Sequence, residues 1–356
     1  MAPTIDQLVE SGTIGGRTVR IDTMGAVECH VYPVGTLRDS AVRVRTALSA
    51  ISPGTEMTFV GRAATNVYLH KTWDERLRLF VKGSPTLEYP IVFGYRAAGS
   101  VVESMVEDVP VGTRLFGSWR HTEFSVLDAE QARAQRLPDG LSVEDGVDVA
   151  QMGPICVNAV AHADREHDGA PAVVFGAGPV GLITAQCVRA TGGDPVFVVD
   201  RIASRLAIAE RLGFRTVHGS AVDDVAVEVK QTFGPEAIPV AFECTGSTLA
   251  LHEAIRVVRR RGTVVAVGFY QGEARGLLLG EEFHHNGIAV RSAQIGNIHP
   301  DWSMASLRQR TIEWASEGTV RLGDLPRRTV RVEDVGAAFD ALGHPEEVLQ
   351  VQLSYG

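Results

Sequence analysis

The sequence predicts an α/β protein in which a doubly wound parallel sheet is joined to a mainly-β module. Three observations predict it. An apolar run, Ala172–Phe175, leads into Gly176-x-Gly178-x-x-Gly181 and at once into a helix-like segment. From there to Ile288–Arg291, apolar runs of strand length alternate with segments of helix length, the pattern of parallel strands joined by crossovers. Upstream, short β-like runs are separated by Gly and Pro breaks without a regular helical period, which reads as a distorted all-β module.

The whole-chain numbers agree with two domains. A chain of 356 residues is too long for one ordinary core. Its 45% apolar and 22% charged composition is that of a soluble globular protein. No apolar run reaches the roughly 20 residues that span a bilayer. The opening Met1–Asp6 has no basic stretch leading into an apolar core, so no secretory leader is expected. Cys29, Cys156, Cys187 and Cys244 are scattered with no CxxC spacing. That indicates neither a zinc knuckle nor a disulfide framework and suits a cytoplasmic location. The net charge of −9 argues against nucleic-acid binding. The one basic cluster, Arg259–Arg261, reads as the end of a helix, where it complements the dipole.

In chain order, residues 1–154 form the β module, with strands at Thr18–Ile21, Val42–Arg45 and Gly99–Val102. Pro154–His162 has helical spacing and reads as the joining helix; Asn158 on it faces a cofactor or packs the helix. Residues 155–296 carry the alternating pattern. Strands are expected at Ala172–Phe175, Val196–Val199, Thr216–His218, Val240–Glu243, Thr263–Val267 and Ile288–Arg291. Helices are expected at Val180–Ala190, Ala203–Leu212, Val222–Phe233 and Leu249–Arg260. In the tail, 297–356, Trp302–Ser316 and Val335–Leu342 read as helices, and Thr329–Val332 and Val348–Leu353 as strands.

The glycine motif sits in the context that gives it meaning: strand, turn, helix, strand, acid. Gly176 permits the turn, Gly178 lets the backbone approach a pyrophosphate, and Gly181 lets the helix pack on the strand. Pro179 and Val180 open the helix, whose first-turn N–H groups and dipole receive phosphates. Asp200, about twenty residues on, is placed to accept hydrogen bonds from a ribose, the signature of a Rossmann dinucleotide site. A carboxylate there repels a 2′-phosphate and favours NAD over NADP, whereas the adjacent Arg201 is able to receive one. Three further strand ends should line the same crevice: Cys244-Thr245-Gly246, Val267-Gly268-Phe269 and Ser292-Ala293-Gln294-Ile295.

Three stretches of the first half carry a resemblance: Ala50-Ile-Ser-Pro-Gly-Thr-Glu56, Gly94-Tyr-Arg-Ala-Ala-Gly-Ser-Val-Val102, and Gly112-Thr-Arg-Leu-Phe-Gly-Ser-Trp-Arg-His121 followed by Pro138-Asp-Gly-Leu-Ser142. Together with the glycine motif they resemble the medium-chain dehydrogenase/reductase superfamily, which contains the zinc alcohol dehydrogenases. The resemblance implies a GroES-like catalytic domain beside the Rossmann domain, and a tail that returns to the catalytic domain. It also implies a homodimer or homotetramer. It places Arg205 where a basic residue helps the ribose, and the strand ends at Val267–Phe269 and Ser292–Ile295 near the nicotinamide.

The departures are informative. The family's first zinc-ligand Cys falls on Pro53, its His on Tyr95, the neighbouring Glu on Arg96, and its third ligand near Met152 or Gly153; the lobe that holds a structural zinc is missing. Zinc needs about three N, S or O donors at a catalytic site, so neither zinc is expected. The chain is most similar to a zinc-lacking branch, like the bacteriochlorophyllide-type dehydrogenases, which share an S-x-G-T-E and a G-Y segment. Without a metal, the proton needs a base or relay and the oxygen needs donors. Thr55 matches the family's relay hydroxyl or caps a turn. Tyr95 donates to a carbonyl oxygen or packs as an aromatic. Arg96 lowers the Tyr95 pKa, binds an acidic substrate, or pairs with Glu56. Glu56 and His121 are the remaining acid/base candidates, with a surface position the alternative for His121. Trp73, Arg76 and Arg78 contact substrate or form an exposed turn.

These readings lead to a zinc-independent, NAD-dependent dehydrogenase of a secondary alcohol on a specialised metabolite, with a small-molecule substrate held between the domains. The alternatives are an NADPH-dependent quinone or enone reductase, a redox-neutral enzyme that recycles tightly bound NAD, and a cofactor-binding protein without turnover.

Overall fold

A computed structural model describes residues 15–61 and 64–356; the opening Met1–Asp6 lies outside them. The chain divides into two units. The first contains the chain up to Gln151 with Arg327–His344 and Gln350–Gly356; the second contains Met152–Pro326 and Pro345–Leu349. The return to the first unit thus begins at Arg327, not at residue 297. The helix Met304–Ser316 stays in the second unit because it crosses close to the helix Gly153–Ala161. A Cβ on Gly153 would lie 2.2 Å from Thr311 Cγ2, so glycine there sets the approach. Leu307 and Trp314 bury that helix's inner face.

The second unit is built on a six-stranded sheet in the order Arg215–His218, Val196–Asp200, Ala172–Phe175, Val240–Glu243, Thr263–Ala266, Ala289–Ser292. All its pairings are parallel. The three strands Ala172–Phe175, Val240–Glu243 and Thr263–Ala266 are buried along their whole length, as befits a parallel sheet with helices on both faces. On one face Val173, Phe175, Phe197 and Val264 pack against Ala226, Val229, Ala254 and Ile255. Each fully buried Val or Ile here contributes about 1.5–3 kcal/mol. The helix expected to reach Arg260 stops at Val257. Arg259–Arg261 instead form an exposed turn with Arg261 at φ +58°, and Arg256 is the base in the helix's last turn.

The first unit is mainly β. One sheet runs Arg328–Arg331, Val351–Ser354, Ala41–Ala50, Ala97–Ser104, Arg114–Gly117, with Phe124–Asp128 also paired to Ala41–Ala50. A second joins Val27–Pro33, Gly15–Ile21 and Ile91–Val92. Val42, Val44, Val101, Leu115, Trp119 and Leu127 form its main core. Helices unforeseen in the sequence occur at Ala129–Ala134 and Val143–Val147. They are too short to show a period, and each is started by a capping box, Asp128 with Gln131 and Ser142 with Asp145. Among the described residues no helix is long and apolar enough to cross a membrane.

Candidate active site

The carboxyl ends of the six parallel strands collect the residues expected to form a dinucleotide site. Gly176 has φ +101°, a conformation open to glycine. A Cβ on Gly181 would lie 1.7 Å from the Gly176 carbonyl oxygen, so only glycine lets the helix Pro179–Ala190 start here. Gly178, Pro179 and Val180 are partly exposed between fully buried flanks, and Gly178 is the N-cap. The free first-turn N–H groups are therefore accessible to a phosphate. Asp200 accepts the Ala177 N–H at 2.6 Å and the Ile202 N–H at 2.9 Å, which locks its carboxylate beside the turn. Arg205 lies along the same turn: its Nη1 is 3.7 Å from where a Gly178 Cβ would be, and its Nε donates to the Pro345 carbonyl at 2.9 Å. Burial pulls the Arg205 pKa down, and Asp200 opposes that. Arg201 is exposed. These features fit a dinucleotide.

The other strand ends are held by two residues that the sequence did not single out. Glu243 is fully buried. It accepts the Thr245 N–H at 2.7 Å, the Gly246 N–H at 3.0 Å, and the hydroxyls of Thr245 and Tyr270. Desolvation raises its pKa; burial and the Glu243 carboxylate push the Tyr270 phenol upward. The clamp shapes Thr245–Gly246, with Gly246 at φ +73°, against Gly268 and Phe269, whose backbones come too close for a side chain. Val267 continues its strand into this turn, its N–H bonded to the Glu243 carbonyl at 2.8 Å. Ala293 and Gln294 lie at the last strand end. Asn158 is buried and donates to the carbonyls of Ala293 and Asn297, at 3.1 and 3.3 Å, while accepting the His299 N–H at 2.9 Å. It pins the 293–299 loop to the helix Gly153–Ala161. The signal for Glu243 was present: a carboxylate closing an otherwise apolar strand.

In the first unit the structure gathers Glu56, His121 and Tyr95. Glu56 and His121 are 1% and 0% exposed, so His121 is a core residue and not a surface one. His121 Nε2 lies 2.9 Å from Glu56 Oε2, and its Nδ1 lies 2.8 Å from Ser49 Oγ. Ser49 Oγ lies 3.0 Å from the Tyr355 hydroxyl. Glu56 Oε1 is buried and has no hydrogen-bond partner. The histidine backbone is fixed as well: its N–H donates to Phe93 O at 2.9 Å and its carbonyl accepts from Val19 N at 2.8 Å. Phe93 meets the imidazole edge-on at 5.4 Å. Gly94 has φ +106°, and a Cβ there would sit 2.5 Å from His121 N.

Tyr95 is partly buried beside this pair. Burial first, then the Glu56 carboxylate, raise its pKa, while the Ser52 hydroxyl, Arg96 and the Thr55 hydroxyl pull it down. The net shift keeps it a neutral donor well past neutrality. Thr55 is partly exposed in the short helix Pro53–Glu56. Arg96 keeps its expected pull on the Tyr95 pKa and departs from its other two expected roles. It is fully buried and donates to Ala50 O at 3.2 Å, Ile51 O at 2.9 Å and Asp148 Oδ1 at 2.9 Å. Asp148 Oδ2 also takes Arg327 Nη2 at 2.9 Å. Arg96 therefore pairs with Asp148 and not with Glu56, and it presents no donor to an acidic substrate. Trp73 packs against Phe80 in a two-stranded hairpin, the rings tilted by 55° with centroids 4.8 Å apart, and Arg76 and Arg78 are exposed at its turn.

The positions that resemble zinc ligands offer poor donors. Pro53 and Gly153 have no donor side chain, Met152 offers only a thioether, Tyr95 only a phenol that burial keeps protonated, and Arg96 is cationic and engaged. The one group of three or more potential ligands among the described residues, His252 with Glu281 and Glu282, lies in the second unit and is exposed in part.

Comparison with known proteins then places the fold. Residues 179–309 match the family of zinc-binding dehydrogenases. The (R,R)-butanediol dehydrogenase of Bacillus subtilis is 28% identical over 236 residues, 59% of this chain and 65% of the relative, just under two thirds of its length. The D-guloside 3-dehydrogenase of Escherichia coli is 26% identical over 330 residues, 88% of this chain and 93% of its own. The solved 2R,3R-butanediol dehydrogenase of B. subtilis superposes with a TM-score of 0.76 at 20% identity, covering 96% of this chain and all of the other. The chain has the fold of the medium-chain, zinc-type alcohol dehydrogenase-like proteins. Two solved neighbours of this fold, each with a TM-score of 0.72 at 18% identity, cover 96% of this chain and 99% of their own. One, from Sinorhizobium meliloti, is bound to NADP, and the other, from E. coli, is complexed with NADH.

Proposed function

We propose that this protein is an NAD-dependent dehydrogenase that interconverts a secondary alcohol and a ketone without zinc. The buried Glu56–His121 pair beside Tyr95 carries the reading. It puts a carboxylate with one unpartnered oxygen and a neutral phenol in the segments that hold metal ligands in the resembled family. NAD bound at the glycine turn would supply the hydride acceptor. Oxidation of an alcohol also releases a proton, and Glu56 Oε1 is the oxygen available to take it. Tyr95 donates to the substrate oxygen as it becomes a carbonyl, the role a Lewis acid would otherwise fill. Thr55 supports Tyr95 through its hydroxyl. His121 holds Glu56 Oε2 and fixes the carboxylate's orientation. The substrate class is a small secondary alcohol, in keeping with relatives named for butanediol and guloside. Asp200 supports NAD over NADP, because a 2′-phosphate would meet its locked carboxylate.

The test is to titrate metal-analysed protein with NADH and with NADPH, then to screen secondary alcohols with NAD. Tighter NADH binding and NAD reduction by at least one secondary alcohol are expected. Preference for NADPH would assign the ribose site to Arg201 and favour a quinone or enone reductase. Binding without turnover of any alcohol or ketone would make this a non-catalytic cofactor-binding protein.

A further inference from the structure

Two buried hydroxyls extend the Glu56–His121 pair to the far side of the imidazole, and nothing in the fold requires them to be polar. Ser49 lies at the end of the strand Ala41–Ala50, and Tyr355 follows the strand Val351–Ser354. Both are 0% exposed. Their oxygens are 3.0 Å apart, and Ser49 Oγ is 2.8 Å from His121 Nδ1. A Phe and an Ala would fill the same space at less desolvation cost.

Each hydroxyl brings one hydrogen, and a neutral imidazole brings one. When Glu56 is a carboxylate, these hydrogens serve the three contacts in a single direction. Tyr355 donates to Ser49, Ser49 donates to Nδ1, and Nε2–H donates to Glu56 Oε2. Every buried donor then has a partner. Reversing the ring turns Nδ1–H toward Ser49, turns Ser49 toward Tyr355, and leaves the phenol hydrogen with no partner among the described residues. It also faces a bare Nε2 lone pair toward Oε2, a contact that works only if Glu56 carries the hydrogen there. Buried orphan donors are disfavoured, so the hydroxyl pair selects the first arrangement.

We propose that Ser49 and Tyr355 are positioning residues that fix His121 as the Nε2–H tautomer and thereby keep Glu56 in its proton-accepting form. The proposal rests on the reading of Glu56 as the base. Other titratable or charged groups near the chain are Tyr95 and Arg96 on the Glu56 side and Arg17, Cys29 and Tyr32 around Tyr355. Arg17 is neutralised by Glu123 and Glu333, Arg96 by Asp148, and burial pushes the Cys29 thiol up to about 11. None of these competes for the His121 ring.

The experiment uses the full chain and its Ser49→Ala, Ser49→Thr and Tyr355→Phe variants, with two readouts. In nitrogen NMR of ring-labelled histidine, wild-type His121 should be the Nε2–H tautomer, and Ser49→Ala should mix the tautomers. In rate–pH profiles, Ser49→Ala should lower kcat about tenfold and raise the acidic limb of kcat/KM by roughly one pH unit. Tyr355→Phe should do the same to a smaller degree, and Ser49→Thr, which keeps the hydroxyl, should restore the wild-type profile. NADH affinity should not change. An Nδ1–H tautomer in the wild type, or variant profiles that superimpose on it, would overturn the proposal. Absence of turnover in the wild type with the Nε2–H tautomer intact would overturn the dehydrogenase reading alone.

Discussion

The two units assemble their functional residues in opposite ways. In the second, the turn Gly176–Gly181, Asp200, Thr245–Gly246, Gly268–Phe269 and Ala293–Gln294 each follow their own strand, and the parallel order alone brings them to one edge. In the first, Ser49, Glu56, His121 and Tyr355 come from separate strands and turns, with Ser49 and Tyr355 306 positions apart. The expected nucleotide edge should tolerate the loss of one polar side chain such as Asp200, because backbone N–H groups and the helix dipole would do much of the binding. The buried chain does not, because each partner removed strands another polar group in a dry core.

Substitutions should expose this difference. Asp148→Ala leaves Arg96 and Arg327 without their shared carboxylate in the first unit. It is expected to cost about 3–5 kcal/mol by denaturant unfolding, more than the loss of any one side chain at the nucleotide edge. Glu56→Gln keeps the shape and should lower kcat about a hundredfold or more, with NADH binding unchanged by fluorescence titration. Gly94→Ala forces a Cβ onto the His121 backbone at a positive φ; a loss of about 1–3 kcal/mol is expected, with a matching drop in melting temperature. In the second unit, Asp200→Ala should shift the NADH/NADPH binding ratio about tenfold toward NADPH while leaving the fold intact.

The smallest effect concerns pH. The phenols of Tyr95, Tyr270 and Tyr355 are all held above their ordinary value, chiefly by burial. As pH rises past about 10 the unfolded chain loses these protons while the folded chain keeps them. The contribution of these phenols to stability should therefore be level below that pH and fall above it. A melting curve series should show the fall, and Tyr355→Phe should reduce its slope.

The same contrast explains what the sequence revealed. The strands Ala172–Phe175 and Val240–Glu243 and the helix Val335–Leu342 were legible to the residue, since continuous burial or a clear period marks each. The glycine motif and Asp200 were legible because their chemistry is local. Glu56 and His121 were recognisable as candidates, but their pairing was not, because it depends on a fold that joins residues 65 positions apart. Ser49 and Tyr355 carry no local signal; a serine ending a strand and a tyrosine after one are ordinary until the core brings them together. The pairing of Arg96 with Asp148 was hidden for the same reason, since Asp148 begins a single π-helical turn, Asp148–Met152, that no periodicity announces.

The most direct test of the central claim is NAD reduction by purified protein of known metal content, measured before and after exhaustive treatment with a chelator. An unchanged rate with no stoichiometric zinc is the predicted result. Loss of turnover on chelation, restored by added zinc, would contradict the account and return the proton chemistry to a metal.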